Sequence, residues 1–265
     1  MKTRLIFFII FLLSSTSFAQ RIAILGAMTE EVELLQSQLK GAKTKEILGF
    51  KFKTGKLNGK KVVLAETGIG KVNASIVTTL IIKQFSPKTI IFTGVAGAVN
   101  PDLNQGDILI GKRISYHDYG RLTNDSLKFY PTRNPHTKKF NPQFFLSDST
   151  LIMVANNAAQ SVELRKITPT SPQPRVSTGT IVTGDTFVAS SVAVAGFRRN
   201  YQADATEMEG AAVAQICFQQ NLPFLIIRSI SDKANEVAPA DFQTFKKIAA
   251  DNSAILVKVI IKNLE

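Results

Sequence analysis

Three acidic residues stand where acids are seldom tolerated without a partner or a task. Glu31 follows the apolar run Ile22-Ala23-Ile24-Leu25 and opens a helical pattern, and Glu209 precedes the small residues Gly210-Ala211-Ala212. Asp232 closes the run from Phe224 to Ser231. Taken singly, each has an ordinary reading: Glu31 as a charge favoured at a helix N-terminus, Glu209 as a helix-start residue, Asp232 as a cap after a strand. Taken together they are material for proton transfer, because burial raises a carboxyl pKa and lets similar groups divide the roles of acid and base. Other chemistries find no support. The glycines of Thr67-Gly68-Ile69-Gly70-Lys71 do not make a Walker loop, which needs four residues before its Gly-Lys pair and a Ser or Thr after it; here Val72 follows. Gly94-Val95-Ala96-Gly97 reads either as a tight turn or as backbone brought close to a ligand. His117 and His136 have no Cys or carboxylate at metal-ligand spacing, so no metal site is expected. A Gly-x-Ser-x-Gly elbow is absent.

These acids must be positioned by regular elements. Short apolar runs occur at Arg21 to Leu25, Lys61 to Ala65, Thr89 to Thr93, Ile108 to Ile110, Thr180 to Thr183 and Phe224 to Ile227. Helical spacing appears from Thr29 to Leu39, Val72 to Phe85, Ser190 to Arg199, Gly210 to Gln220 and Asp241 to Leu264. Ile- and Val-rich strands alternating with helices predict an α/β sheet covered on both faces, with ligands at the C-terminal ends of its strands. The stretch from Tyr119 to Pro174 breaks the rhythm with Pro131, Pro135, Pro142, Pro172 and Pro174, and with Arg133, Lys138, Lys139, Phe140, Phe144 and Phe145 interleaved. A nucleic-acid surface would have this composition, but so does a long solvated excursion, which is the reading preferred; no nucleic-acid partner is expected.

With 45% hydrophobic and 20% charged residues in 265, the chain is expected to form one globular domain. Its single Cys, Cys217, forbids an intramolecular disulfide, so a large core must carry stability. The net charge of +12 fits a polyanionic partner or plain solubility and does not choose between them. Lys2 and Arg4, the apolar run Leu5 to Leu13 and the small residues Ser17 and Ala19 describe a signal peptide over residues 1–19, leaving a domain over residues 20–265. The run is far shorter than the roughly 20 residues of a membrane span. The mature chain is therefore expected outside the cytoplasm, periplasmic or secreted, with no membrane partner after cleavage.

Six segments occur in the order and approximate spacing of a known family: Gly26-Ala27-Met28-Thr29-Glu30-Glu31-Val32, Thr67-Gly68-Ile69-Gly70-Lys71-Val72, Thr93-Gly94-Val95-Ala96-Gly97, Thr183-Gly184-Asp185-Thr186-Phe187, Glu207-Met208-Glu209-Gly210-Ala211-Ala212 and Arg228-Ser229-Ile230-Ser231-Asp232. Through them the chain resembles the 5′-methylthioadenosine/S-adenosylhomocysteine nucleosidases of the purine nucleoside and uridine phosphorylase superfamily. The resemblance implies a three-layer α/β/α sandwich with a central mixed sheet, usually a homodimer, that hydrolyses the bond between adenine and a 5′-thio-substituted ribose without a cofactor. It implies that Glu31 activates water, Asp232 serves the purine N7 and Glu209 grips the ribose hydroxyls. Ile69, Phe187, Val188, Met208 and Phe242 would wall the base, sugar and 5′ substituent, with Ala27, Met28, Val95, Ala96, Gly97 and Glu207 also against the nucleoside. Ser231 and Arg228 would orient Asp232 and Glu209. On this reading Asp232 holds a proton while Glu31 and Glu209 are ionised.

Phosphorylases of the superfamily hold phosphate with cations, whereas the positions that would face the anion here are expected to be Glu30, Glu31, Phe92 and Thr93, which favours water as the nucleophile. Val95 departs from the Ser or Thr of many members and removes a hydroxyl near the ribose. A secretory signal is unusual for salvage of a cytoplasmic nucleoside. The alternatives are a phosphate-dependent phosphorylase and a non-catalytic exported storage or binding relative.

Overall fold

The computed structural model describes residues 21–124 and 127–264; the predicted signal peptide lies outside them. In chain order the elements are β1 (Ile22–Gly26), α1 (Thr29–Ser37), β2 (Lys40–Ile47), β3 (Phe50–Leu57), β4 (Lys60–Glu66), α2 (Lys71–Phe85), β5 (Thr89–Ala98), β6 (Ile108–Tyr116), β7 (Gly120–Leu122), β8 (Leu127–Phe129), β9 (Phe145–Leu146), α3 (Ser149–Ala159), β10 (Val176–Thr183), α4 (Ser191–Tyr201), β11 (Ala205–Glu207), α5 (Gly210–Gln219), β12 (Phe224–Asp232) and α6 (Ala238–Asn263). The principal sheet runs β11-β10-β6-β12-β5-β1-β4-β3-β2, with β9 on β6.

The sheet is mixed. β1 pairs in parallel with β4 and β5, and β5 with β12, while β6 runs antiparallel to β12 and the β2–β3–β4 edge is an antiparallel meander. β11 also pairs antiparallel with β5, so β5, β12, β6, β10 and β11 close a ring of strands. β1, β5 and β12 are buried along their whole lengths, as strands covered on both faces must be. On one face Ala23, Phe92 and Ile226 meet Val77 and Ile81 of α2 and Val213 of α5. On the other, Ile24, Ile91 and Ile227 meet Leu35 of α1, Ala155 of α3 and Val257 of α6. Each such aliphatic side chain contributes about 1.5–3 kcal/mol on burial. The α/β/α expectation holds.

Three segments differ from, or add to, the sequence reading. Tyr119 to Pro174 is not simply a solvated excursion: within it α3 buries Leu151, Ala155 and Ala158 against the sheet and α6. Asp148 caps α3 by accepting from the Leu151 N–H at 2.9 Å. The β2–β3 hairpin went unpredicted because Lys residues interrupt its alternation at an exposed edge. Of the two readings of Gly94 to Gly97 the tight turn fails, because β5 continues through to Ala98, and backbone brought close to a ligand is the one left.

Candidate active site

The C-terminal ends of β1, β5, β11 and β12 surround a cavity of about 310 Å³, in the range of small-molecule sites. Glu31, Glu209 and Asp232 all line it, although they lie in three distant parts of the chain. Ala27, Met28, Ile69, Val95, Ala96, Gly97, Phe187, Val188, Glu207, Met208, Ser231 and Phe242 line it as well. Arg228 does not. It is fully buried behind the wall, its guanidinium 4.3 Å over the Phe92 ring. Thr186 and Thr206 also face the cavity and were missed; their position beside Phe187 and Glu207 in the quoted segments was the available signal.

Glu31 is placed by the turn from β1 into α1. It is the third residue of the helix and reaches back to the cap: its Oε2 accepts from the Ala27 and Met28 N–H groups at 2.5 and 3.0 Å. Its Oε1 accepts from the Val95 N–H of β5 at 3.0 Å. Gly94 makes room for this carboxylate, since a Cβ there would stand 2.6 Å from Glu31 Oε1 and 2.9 Å from Arg228 Nη1. Burial raises the Glu31 pKa, with Arg228 and the three backbone donors opposing.

Glu209 precedes α5, and its Oε1 accepts from the Gly70 N–H at 2.8 Å. Gly70 occupies φ 96°, a backbone region that suits only glycine, and caps α2. Burial and the neighbouring Glu207 push the Glu209 pKa up to about 8 against the pull of Arg228, 3.7 Å away. The shift works against the ionised form that the resemblance implies for Glu209. Low dielectric and two nearby carboxylates are the reason.

Glu207 lines the cavity but its oxygens are committed. Arg228 Nη2 donates to Oε2 at 2.6 Å, the Gly210 and Glu209 N–H groups donate to the same oxygen at 2.7 and 3.1 Å, and the Thr183 hydroxyl donates to Oε1. Glu207 therefore anchors the start of α5 and Arg228 together. Burial works against the Arg228 cation, yet Glu207, Glu31 and Glu209 hold its pKa above the ordinary value. Arg228, expected to orient Glu209, lies 3.7 Å from it and has Glu207 as its main partner.

Asp232 ends β12. Its Oδ1 accepts from the Ala234 N–H at 2.8 Å and its Oδ2 from the Ser231 hydroxyl at 2.8 Å. Burial raises its pKa and these donors lower it. Gly97 leaves space here too, since a Cβ would lie 2.8 Å from Asp232 Oδ1. The Ser190 N–H donates to the Ala234 carbonyl at 2.9 Å, tying the Phe187–Val188 wall to the Asp232 turn. Phe187 and Phe242 meet edge-on with centroids 5.5 Å apart.

Glu30, Phe92 and Thr93 do not face the cavity as expected. Glu30 pairs with Lys246 at 3.1 Å, Thr93 shares a hydrogen bond with Ser253 at 2.7 Å, and Phe92 lies in the core. Arg228, the cation beside the acids, is engaged by Glu207. Among the described residues no group of three His, Cys, Asp or Glu is arranged to hold a metal ion. His117 stacks on Phe197 at 4.3 Å, outside the cavity, and burial lowers its pKa.

A sequence profile of the phosphorylase superfamily matches residues 21–262. A protein of Psychromonas ingrahamii named 5′-methylthioadenosine/S-adenosylhomocysteine nucleosidase is 39% identical over 245 residues, 92% of this chain and 99% of its own. The nucleosidase of that name from Neisseria meningitidis, solved with methylthio-immucillin-A, superposes with a TM-score of 0.78 at 38% identity, over 92% of this chain and 100% of its own. That of Colwellia psychrerythraea 34H, solved with adenine, gives 0.81 at 35% identity, over 93% and 96%.

Proposed function

The chain belongs to the phosphorylase superfamily and, within it, to the 5′-methylthioadenosine/S-adenosylhomocysteine nucleosidases, and from that premise we propose how its own side chains act on such a substrate. The enzyme hydrolyses the N-glycosidic bond of 5′-methylthioadenosine or S-adenosylhomocysteine, giving adenine and a 5-thio-substituted ribose. The observation that carries the assignment of roles is the convergence of Glu31, Glu209 and Asp232 on one cavity.

Adenine leaves poorly as an anion, so its ring must gain a proton as the bond to the sugar breaks. Asp232, with its raised pKa and its carboxyl oriented by Ser231 and Ala234, is the donor at N7. The ribose gains positive charge as the bond stretches. In its ionised form Glu209 answers that charge, an interaction stronger in the transition state than in the ground state. Glu31, on the β1 side of the cavity and fixed by three N–H groups, accepts the proton of the attacking water. The division of acid and base between carboxyls follows the logic of glycoside hydrolysis. Arg228 and Glu207 hold the network without spending a free charge on substrate. Val95 presents a methyl-bearing wall beside Glu31 where a hydroxyl would add a hydrogen bond.

Phosphate finds no free cation at the cavity wall, which supports hydrolysis over phosphorolysis. The measurement is adenine release from methylthioadenosine in phosphate-free buffer. Strict dependence on phosphate, with a pentose 1-phosphate as product, would establish the phosphorylase instead, and no release at all would favour the storage or binding reading. The chain acts as a homodimer on this proposal: Ile69 and Phe187 at the cavity and Val72 and Ile76 on α2 leave apolar surface exposed that a second copy would cover. It acts outside the cytoplasm, as residues 1–19 direct; the N-terminus of the purified exported protein tests that.

A further inference from the structure

The sheet registers place cations side by side at the end remote from the cavity. Ile22 of β1 pairs with Val62 of β4 and Thr89 of β5, so Arg21, Lys61 and Lys88 stand level one residue earlier. The Lys88 N–H donates to the Arg21 carbonyl at 2.8 Å. Lys61 pairs with Lys56 of β3, and Lys56 with Lys40 of β2. In the order β2-β3-β4-β1-β5, five adjacent strands thus each bring a cation to one level. At the usual strand spacing the row is roughly 20 Å long. Lys60 adjoins it, and Asn58 in the β3–β4 turn donates to the Lys258 carbonyl at 2.9 Å, which brings the C-terminal end of α6, with Lys258 and Lys262, to the same pole.

Like charges directly opposite on neighbouring strands are destabilising. Among the described residues Arg21, Lys40, Lys56, Lys60, Lys61, Lys258 and Lys262 make no ion pair with a carboxylate. The cavity lies at the opposite end of β1 and β5, where Ala27 and Val95 line it.

We propose that this pole docks peripherally on an anionic lipid surface, with the catalytic cavity facing away from the membrane. Charge complementarity is the first support, since lysines near such a surface are attracted within a Debye length. Composition is the second. Nucleic-acid recognition draws on Arg forks and stacking aromatics, whereas the row holds one Arg, four Lys and no aromatic. This proposal departs from the expectation of no membrane partner after signal cleavage, in favour of a reversible, salt-sensitive contact. No helix of the described residues is long and apolar enough to cross a membrane.

The test is sedimentation of the full chain with vesicles of mixed phosphatidylglycerol and phosphatidylcholine, against vesicles of phosphatidylcholine alone. Excess binding to the anionic vesicles is expected, falling with added salt. In K40Q/K56Q/K61Q that excess should drop about a hundredfold, from roughly fivefold per charge. Adenine release should be unchanged, which also certifies the fold. R133Q/K138Q/K139Q, with the same charge loss elsewhere, should keep the preference. Equal binding to both vesicle types, equal losses in the two triple variants, or tighter retention on duplex DNA than on anionic vesicles would each overturn the proposal.

Discussion

Replacing Asp232 by Asn isolates the proton that adenine needs. The Asn carbonyl can still accept from the Ala234 N–H, and its amide can donate to the Ser231 hydroxyl, so both contacts of the native carboxyl survive in altered polarity. The side chain is 2% exposed and nearly isosteric, so stability should change by less than about 1.5 kcal/mol. The acid is gone. A general acid contributes typically 10²–10⁴-fold, so kcat should fall at least about a hundredfold, or about 2.7 kcal/mol in the barrier, with KM nearly constant. Initial rates of adenine release across pH are the assay. Wild-type kcat should decline as pH rises through the raised Asp232 pKa, because the donor empties; the Asn variant should lack that limb. Near-normal kcat, or an unchanged alkaline limb in the variant, would remove Asp232 from the acid role.

Three further outcomes follow from the network behind the cavity. Gly94→Ala should displace Glu31 or Arg228, lowering kcat at least tenfold and costing about 1–3 kcal/mol in a denaturant titration; a wild-type-like variant would mean the wall yields freely. Arg228→Met should cost about 3–5 kcal/mol by leaving Glu207 buried without its cation, and an undiminished midpoint would show that Glu207 is neutralised otherwise. The Glu209 pKa is raised from 4.5 to about 8, so the native state keeps a proton that the unfolded chain releases. That contribution is full below about pH 4.5 and is lost as pH rises through 8, on the order of a few kcal/mol. Unfolding of the unliganded protein at about pH 5 and about pH 9 measures it, and Glu209→Gln should flatten the difference.

Two of the strands that position the acids were legible because they are buried on both faces, so apolar residues run together through Ile22–Leu25 and Phe224–Ile227, whereas the three-residue β11 beside Glu209 was too short to read. Five of the six helices among the described residues were found within a few residues for the converse reason, a regular 3.6-residue stripe. The hairpin Lys40–Leu57 was hidden because an exposed edge does not need apolar alternation. Leu151, Ala155 and Ala158 of α3 do keep helical spacing, but the surrounding prolines drew the reading toward a loop. Within the site, chain order alone could nominate Glu31, Glu209 and Asp232. It could not assign Glu207 to Arg228, because which oxygen meets which guanidinium nitrogen is decided by how β11 and β12 approach β5.

Closure of the ring through β5 carries a temporal consequence. Residues 89–98 pair first with an early neighbour, β1, and later with partners more than a hundred positions downstream, β11 and β12. Such distant pairings are entropically costly to bring together and form late, after the N-terminal units that emerge first during synthesis. Glu31 therefore waits for Asp232, which arrives 201 residues afterwards. A nascent chain lacks the full set of acids, and the cavity is complete only when the last third has docked.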